Sequence, residues 1–276
     1  MIVTSRALST AVLLVSGAAF LVVYVVGVRT RRGQDLENLA LDASEYIDRP
    51  GGLLSLVTVP NIAVALLGIV VVGLVFGRVR PAVRAVGMIA LANVLTQLLK
   101  YGLLSRPDFL ETAEANTLPS GHTVAFASVL LGLLIVLPAR PRPIVGLLSC
   151  VVLGVVTFQL LAFGWHRASD VIAGLLLVTG LIALAQLLLP DRAPARIGGR
   201  SMSFTLLLGC GVLLVLGTAS IAAALALDIG GSQALLLASQ LLCLTGVVVA
   251  VVVTLLLQRT ISRRARPAAQ SAAATS

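Results

Sequence analysis

The segment LPSGHTVAFASVLLGLLIVLP, residues 118–138, decides the fold of this chain because it joins a turn directly to a long apolar run. Ser120 is a favoured N-cap residue, and the residues after His122 carry no charge that would hold a helix at an aqueous surface. The pattern therefore predicts a helix over residues 121–138 that is apolar on all sides, with His122 in its first turn. One of only two histidines in the chain would lie where this helix begins.

The composition places the whole chain in a membrane. Of its 276 residues, 58% are hydrophobic and 11% are charged, whereas soluble domains are about 45 to 50% apolar and about 25% charged. A helix needs about 20 apolar residues to cross a hydrocarbon core about 30 Å thick, and a lone segment in lipid must satisfy its own backbone. We therefore predict an all-α integral membrane protein with about eight transmembrane helices, at residues 7–28, 53–77, 83–104, 121–138, 144–165, 168–190, 203–227 and 234–257.

The arginines predict the orientation of these helices. They concentrate in the short loops 78–84, 139–143 and 191–202 and in the tail after residue 258, which all fall on one side of the membrane. The positive-inside rule makes this side cytoplasmic, so we expect a multi-pass protein of the cell membrane with both termini in the cytoplasm. The RTRR cluster at residues 29–32 would lie on the other side, as a minor exception. Because orientation accounts for the net charge of +9, no nucleic acid partner is predicted.

A shorter amphipathic pattern occurs in the loop after the first predicted helix. Apolar residues recur at helical spacing between residues 35 and 47, with acids between them, until Pro50 and Gly51 end the pattern. We interpret this stretch as a helix on the outer surface. A solvated connector is the favoured interpretation, and a lid that faces the substrate is the alternative.

Polar and ionisable residues meet at the outer boundary that this arrangement predicts. They come from the end of the third helix, the start of the fourth and the junction of the fifth and sixth: Lys100, Arg106, Ser120, Gly121, His122, His166, Arg167 and Asp170. Lys100 is the only lysine in the chain, and both histidines belong to this set. Because an ionisable group at membrane depth costs about 2.5 to 3.5 kcal/mol, such groups are kept mainly for function.

These residue types fit the binding of an anion, although each has a structural alternative. The N-terminus of a helix holds phosphate through free N–H groups, and Gly121 lets the anion approach closely; alternatively, Ser120 only caps the helix. His166 and Asp170 are four residues apart, so on a helix the carboxylate would orient the imidazole for nucleophilic attack, or the pair would be structural. The two cations that precede them either clamp phosphate oxygens or anchor a helix end at the interface.

Three segments together resemble the signature blocks of the type 2 phosphatidic acid phosphatase (PAP2) superfamily, which includes membrane lipid phosphatases and soluble vanadium haloperoxidases. The segments are Lys100–Pro107, the PSGH sequence at residues 119–122, and His166–Asp170. Their order along the chain and their places at helix ends also match. There are two departures: five residues rather than six separate Lys100 from Arg106, and Gln159 and Leu160 stand where the family has Ser-Arg.

The resemblance implies a domain organisation. A six-helix PAP2-like transmembrane core would occupy residues 1–200, with the signature region at residues 53–190. Residues 201–258 would add two C-terminal transmembrane helices to this core. Residues 259–276 would form a disordered basic tail in the cytoplasm.

The resemblance also implies a role for each residue of the set. His166 would attack phosphorus to form a phosphohistidine, Asp170 would orient it, and His122 would protonate the leaving oxygen. The phosphoryl oxygens would be held by Lys100, Arg106, Ser120 and Gly121, with Arg167 as the candidate replacement for the missing arginine. Members of this family require no metal, and no other cofactor is predicted.

The function implied is that of an integral membrane phosphatase acting at the outer membrane face. Its lipid phosphate substrate would be phosphatidic acid, phosphatidylglycerol phosphate or a polyprenyl diphosphate. Two alternatives stay open: a catalytically impaired relative that binds or transports phospholipid, and a phosphotransferase that uses the same site. The sequence makes no prediction of the oligomeric state.

Overall fold

The computed structural model of the chain describes residues 2–47, 51–111, 115–190 and 231–258. Within these ranges the regular structure is entirely helical, without a strand, so the predicted all-α fold is confirmed. The α-helices are α1 (Ile2–Val23), α2 (Arg31–Asp42), α3 (Val59–Val75), α4 (Val79–Leu98), α5 (Gly121–Val136), α6 (Arg142–Ala162), α7 (Ala168–Leu188) and α8 (Gly231–Leu257). Short π turns extend α1 (Tyr24–Val28) and α4 (Leu99–Leu103), and a 3-10 turn (Gly52–Leu56) precedes α3.

Five of the described helical segments are long and apolar enough to cross a membrane: Arg6–Val28, Val79–Leu103, α6, α7 and α8. α3 and α5 are also apolar but have only 17 and 16 residues. At 1.5 Å per residue they cover about 25 Å, somewhat less than the hydrocarbon thickness of about 30 Å. The predicted helix at 203–227 and the predicted tail at 259–276 lie outside the described residues, so the division into domains stays a prediction.

α3 begins later than its hydropathy predicts. The predicted helix at 53–77 runs through Pro60, but Pro60 lies in the first turn of α3, where its missing N–H leaves no hydrogen bond unmade. Thr58 caps the helix, since its hydroxyl accepts a hydrogen bond from Asn61 N at 3.3 Å. The residues before Thr58 form the separate 3-10 turn, which buries Leu54 in the core.

α5 lies at the centre of the bundle. It packs against α3, α4, α6 and α7, and its Leu131, Leu134 and Ile135 are completely buried. α1 packs along α7, whereas α8 lies against α6 and α7 and contributes Cys243 and Val251 to the same core. Because lipid chains are as apolar as leucine, helices in a membrane associate through close packing rather than through burial of apolar surface from water.

Two buried arginines bind the ends of helices at the end of the bundle opposite to the start of α5. Arg142 donates to Leu137 O at 2.9 Å and to Gln258 O at 3.3 Å. Arg84 donates to Leu189 O at 3.0 Å and to Gln258 Oε1 at 3.2 Å. Cations stabilise the negative ends of helix dipoles, so these contacts join the C-terminal ends of α5, α7 and α8.

α2 packs one face against the bundle, so it is not solvated on all sides, and its role as a connector or a lid stays a prediction. It spans Arg31–Asp42, whereas the amphipathic pattern predicts a helix over residues 35–47. Gln34 is 2% exposed, and its Nε2 donates to Val28 O at 2.8 Å and to Pro107 O at 2.7 Å. α2 also packs against α8. Its polar side chains bind neighbouring loops, which a pattern of hydrophobicity alone does not reveal.

Candidate active site

α5 begins at a polar junction with α7. Ser120 is the N-cap of α5, as predicted: its Oγ accepts hydrogen bonds from Thr123 N at 3.3 Å and from Thr123 Oγ1 at 3.1 Å. The backbone N–H of Ser120 donates to Asp170 O at 2.9 Å, which ties the start of α5 to the first turn of α7. Gly174 allows this approach, since a Cβ there would lie 3.2 Å from Thr123 Cβ and 3.3 Å from Ser120 O.

α7 begins with a carboxylate that binds both the helix start and an imidazole. Asp170 Oδ2 accepts a hydrogen bond from the backbone of the N-cap residue Arg167 at 3.1 Å. The same oxygen lies 3.1 Å from His166 Nδ1 and accepts a hydrogen bond from Thr117 Oγ1 at 2.7 Å. Asp170 is completely buried. The predicted His166–Asp170 pair is present, but His166 precedes the helix instead of sharing its surface, because the backbone at Arg167 is extended.

The two histidines of the chain face each other at this junction. Their ring centroids are 6.3 Å apart, with the ring planes inclined by 63°. Trp165 packs edge-on against the ring of His122 at 5.4 Å between centroids, and the backbone of Leu54 lies close to the same imidazole. His166 is 7% exposed and His122 is half-buried. Both rings are held in place, and one small ligand between them can contact both.

Lys100 lies in the π turn that ends α4, close enough to His122 for its charge to act on that imidazole. Asn116 fixes this turn to the segment before α5, because its Nδ2 donates to Lys100 O at 3.2 Å and to Leu118 O at 3.0 Å. Arg106 is half-buried in the non-helical segment that follows the turn. The shortened spacing between the two cations therefore coincides with a π turn, which changes the direction in which side chains leave a helix.

The side chain of Arg167 is bound to α2. Its Nε and Nη2 donate to Asn38 Oδ1 at 3.0 and 2.9 Å. The preceding residue of α2, Glu37, accepts a hydrogen bond from Ser169 N at 3.0 Å through Oε1. Burial raises the pKa of Glu37 from its ordinary 4.5 to about 7, and the negative charge of Asp170 adds to this rise. α2 thus supports the first turn of α7, and the role of Arg167 as a phosphate ligand stays a prediction.

The segment after α2 forms a wall beside the same turn. Glu45 N donates to Ala162 O at 2.9 Å, and Trp165 Nε1 donates to Ile47 O at 2.8 Å. A cavity of about 580 Å³ lies between this wall and the site, lined by Ser44, Tyr46, Thr117, Trp165 and Arg167 among others. The cavity reaches both neighbours of His166 in sequence.

Gly121 and Leu160 bear on the space and the charge that the candidate site offers to an anion. A Cβ added at Gly121 would meet no heavy atom within 4 Å, so packing does not demand glycine there. The open space beside Gly121 agrees with the predicted close approach of an anion to the helix N-terminus. Leu160, which replaces the family arginine, is completely buried, and its carbonyl accepts hydrogen bonds from Trp165 N at 3.0 Å and His166 N at 3.1 Å. This position supplies packing and backbone contacts but no charge.

Thr117, Glu37 and Asn38 are site residues that the sequence did not identify. Thr117 lies just before the PSGH segment, and its hydroxyl there is the one signal that would have suggested it. Glu37 and Asn38 lie far from the site in sequence and belong to a polar helix face, where such residues are common. In the ranges that the structure covers, no three His, Cys, Asp or Glu side chains lie close enough together to hold a metal ion.

Comparison with known proteins gives one family. The sequence model of the PAP2 superfamily matches residues 52–194, about half of the chain. This range includes α3 to α7 and every predicted site residue, whereas α1, α2 and α8 lie outside it. No curated protein and no solved structure matches the chain.

Proposed function

The chain belongs to the PAP2 superfamily, and on that basis we propose that it is a membrane phosphatase that hydrolyses a lipid phosphate through a phosphohistidine intermediate. The observation that carries the proposal is the 6.3 Å separation of two imidazoles, one of which lies against a buried carboxylate. A phosphate ester bound between the rings would be attacked at phosphorus by one imidazole. The other imidazole would protonate its leaving oxygen.

His166 is the proposed nucleophile. Because Nδ1 lies 3.1 Å from Asp170 Oδ2, its proton is held on Nδ1 and the lone pair of Nε2 is free. Nε2 forms a bond to phosphorus while the bond between phosphorus and the ester oxygen breaks. The carboxylate of Asp170 stabilises the positive charge that develops on the ring.

His122 acts first as an acid and then as a base. It donates a proton to the leaving oxygen, which departs as the lipid alcohol from a monoester and as the polyprenyl phosphate from a diphosphate. The neutral imidazole then accepts a proton from water as the water oxygen attacks phosphorus and displaces His166 Nε2. The products are inorganic phosphate and either the alcohol or the polyprenyl phosphate, and both histidines return to their starting states.

The phosphoryl oxygens need positive charge or N–H donors around them. Lys100 and the N–H groups at the start of α5 supply these, with Arg106 and Ser120 as further candidate ligands. Leu160 supplies none. Since one charge-assisted hydrogen bond contributes about 1.5 to 3 kcal/mol, we expect slower turnover than in a relative that has the arginine.

The proposed site faces the outside of the cell membrane, with both termini in the cytoplasm. Arg84 and Arg142, at the end of the bundle opposite to the histidines, support this orientation through the positive-inside rule. A lipid substrate would then present its phosphate to the site from the outer leaflet.

A second candidate function is the binding or transport of phospholipid without hydrolysis. The observation that favours it is the buried, uncharged Leu160 at the position of a family phosphate ligand. Transfer of the phosphoryl group to an acceptor other than water would use the same residues as hydrolysis.

Phosphate release separates these functions. The purified protein in detergent and EDTA would be given phosphatidic acid, phosphatidylglycerol phosphate and a polyprenyl diphosphate, and free phosphate would be measured for wild type and His166→Ala. We expect release by the wild type alone, together with an acid-labile phosphoprotein that His166→Ala does not form. No release from any substrate would favour the binding function, and activity of His166→Ala would exclude His166 as the nucleophile. Formation of glycerol phosphate without release of free phosphate, when glycerol is added as the acceptor, would indicate a phosphotransferase.

A further inference from the structure

An apolar groove lies further along the face of α5 that also carries His122. It lies between α3 and α5 and has a volume of about 330 Å³. We call it the chain groove, defined by Leu56, Ile62, Ala65, Ala125, Phe126 and Val129. A water molecule occupies about 30 Å³ in the liquid, so the groove has room for about eleven groups of that size, enough for part of a single hydrocarbon chain.

The chain groove and His122 lie on the same face of α5. Its residues on this helix follow His122 at intervals of three, four and seven, so they lie on the face that His122 presents. Leu56, which lines the groove, is two residues from Leu54, whose backbone lies close to the His122 imidazole. At 1.5 Å per residue, Val129 lies about 10 Å deeper than His122. A leaving group protonated by His122 would therefore enter the groove with its first carbon atoms.

The lining of the chain groove offers little to a polar lipid backbone. Asn61 is the polar residue of its described lining, and its Nδ2 donates to Leu56 O at 2.9 Å. A glycerolipid phosphate carries ester groups within a few bonds of its phosphate, and these would enter the groove without donors. Burial of such groups without hydrogen bonds is unfavourable. A chain that is apolar from its first carbon meets no such cost.

We propose that the chain groove holds the leaving group of the substrate, and that the substrate is the phosphate monoester of a long-chain or polyprenyl alcohol. This inference rests on the proposed function and narrows its substrate class. The ester oxygen lies at His122, and the alkyl or prenyl chain runs down α5 toward Val129. The groove positions the chain rather than adding affinity, because transfer of a chain from lipid into an apolar groove gains little hydrophobic free energy.

Three substrates test the proposal in mixed detergent micelles at equal mole fraction: dodecyl phosphate, dioctanoyl phosphatidic acid and butyl phosphate. For the wild type, kcat/KM for dodecyl phosphate should exceed that for dioctanoyl phosphatidic acid at least tenfold. Ala65→Phe and Val129→Phe obstruct the groove. Because displacing a reacting group by about 1 Å costs on the order of a hundredfold, the ratio of kcat/KM for dodecyl to butyl phosphate should fall about tenfold to a hundredfold.

One further variant is a control, and a second tests the groove in the opposite direction. Val249→Phe adds the same bulk to a different apolar groove, between α1, α7 and α8, and should leave the dodecyl-to-butyl ratio unchanged. Phe126→Ala widens the chain groove without overpacking and should reduce the preference for dodecyl phosphate over the glycerolipid.

The proposal would be overturned if the wild type had the same kcat/KM for dioctanoyl phosphatidic acid as for dodecyl phosphate. An unchanged dodecyl-to-butyl ratio in both obstructing variants would also overturn it, and would assign the groove to bilayer lipid or to another part of the chain. Failure of the proposed function has a different signature. In that case the wild type releases phosphate neither from these three substrates nor from phosphatidylglycerol phosphate or a polyprenyl diphosphate, and the chain groove proposal falls with it.

Discussion

Replacing Glu37 with glutamine should stabilise the protein above neutral pH and have little effect in acid. Glu37 lies against the start of α7, where its Oε1 accepts a hydrogen bond from Ser169 N at 3.0 Å. Burial and the nearby charge of Asp170 raise the pKa of Glu37 to about 7, because the ionised carboxylate is unfavourable in the folded protein. Glutamine keeps the acceptor oxygen and removes the ionisation.

The size of the effect follows from the difference between the two states. The pKa of Glu37 is 4.5 in its ordinary environment and about 7 in the folded protein, and each unit corresponds to about 1.36 kcal/mol. Since the folded-state pKa is raised, the stability linked to protonated Glu37 is fully present below pH 4.5 and is lost as the pH rises through 7. Above that pH, wild type should be less stable than Glu37→Gln by up to about 3 kcal/mol.

The assay is the apparent melting temperature of the purified proteins in detergent, at one scan rate, over a pH series from acid to mildly alkaline. For domains of about 150 to 250 residues, 1 kcal/mol shifts Tm by about 2 to 4 °C, so the advantage of Glu37→Gln should grow from near zero to roughly 6 to 12 °C. Asp35→Asn is the matched control, because it removes an acid from the same helix and leaves the contact with Ser169. An advantage that stays constant or shrinks with rising pH would refute the reasoning.

Substitutions at three further positions test the candidate site. His122→Ala should slow the hydrolysis of an alkyl phosphate about 100-fold to 10,000-fold and that of p-nitrophenyl phosphate much less, because a good leaving group needs no proton; equal losses would argue against a proton donor. Thr117→Val removes a donor from Asp170 Oδ2 and should lower kcat about tenfold or more. Thr117→Ser keeps that donor and should retain activity, so equal effects of the two variants would contradict the role of the hydroxyl. Gly121→Ala should leave Tm unchanged, since its Cβ meets no atom within 4 Å, but should lower kcat/KM. Unchanged kinetics in this variant would exclude close approach of an anion at Gly121.

The apolar runs predicted the existence of the membrane helices well, but not where each one begins. Hydropathy is insensitive to local start signals, and so the predicted helix at 53–77 merged a 3-10 turn with α3 although Thr58 and Pro60 mark the true start. The end of α2 was missed for a related reason. Tyr46 and Ile47 continue its apolar spacing, but the helix ends at Asp42 and the backbone of Ile47 accepts a hydrogen bond from Trp165.

The central pair of the candidate site was predicted from spacing, whereas its supports were not. His166 and Asp170 are close in sequence, so a short segment suffices to bring them together. Asp170 also accepts from Thr117, which is 53 residues away, and such a contact depends on how α5 and α7 pack. The partners of Arg167 and Ser169 on α2 lie 129 and 132 residues away. Their positions have no periodicity or motif that a single sequence could reveal.

The turn at His166 contacts residues before position 52, and this has a practical consequence for the design of shortened fragments. A fragment cut to the family-matched range, 52–194, would retain all the predicted site residues. It would nevertheless lose Asn38 and Glu37, which bind the start of α7, and the backbone of Ile47, which binds Trp165. We therefore expect a fragment limited to residues 52–194 to hold the His166 turn less firmly than one that starts upstream of α2.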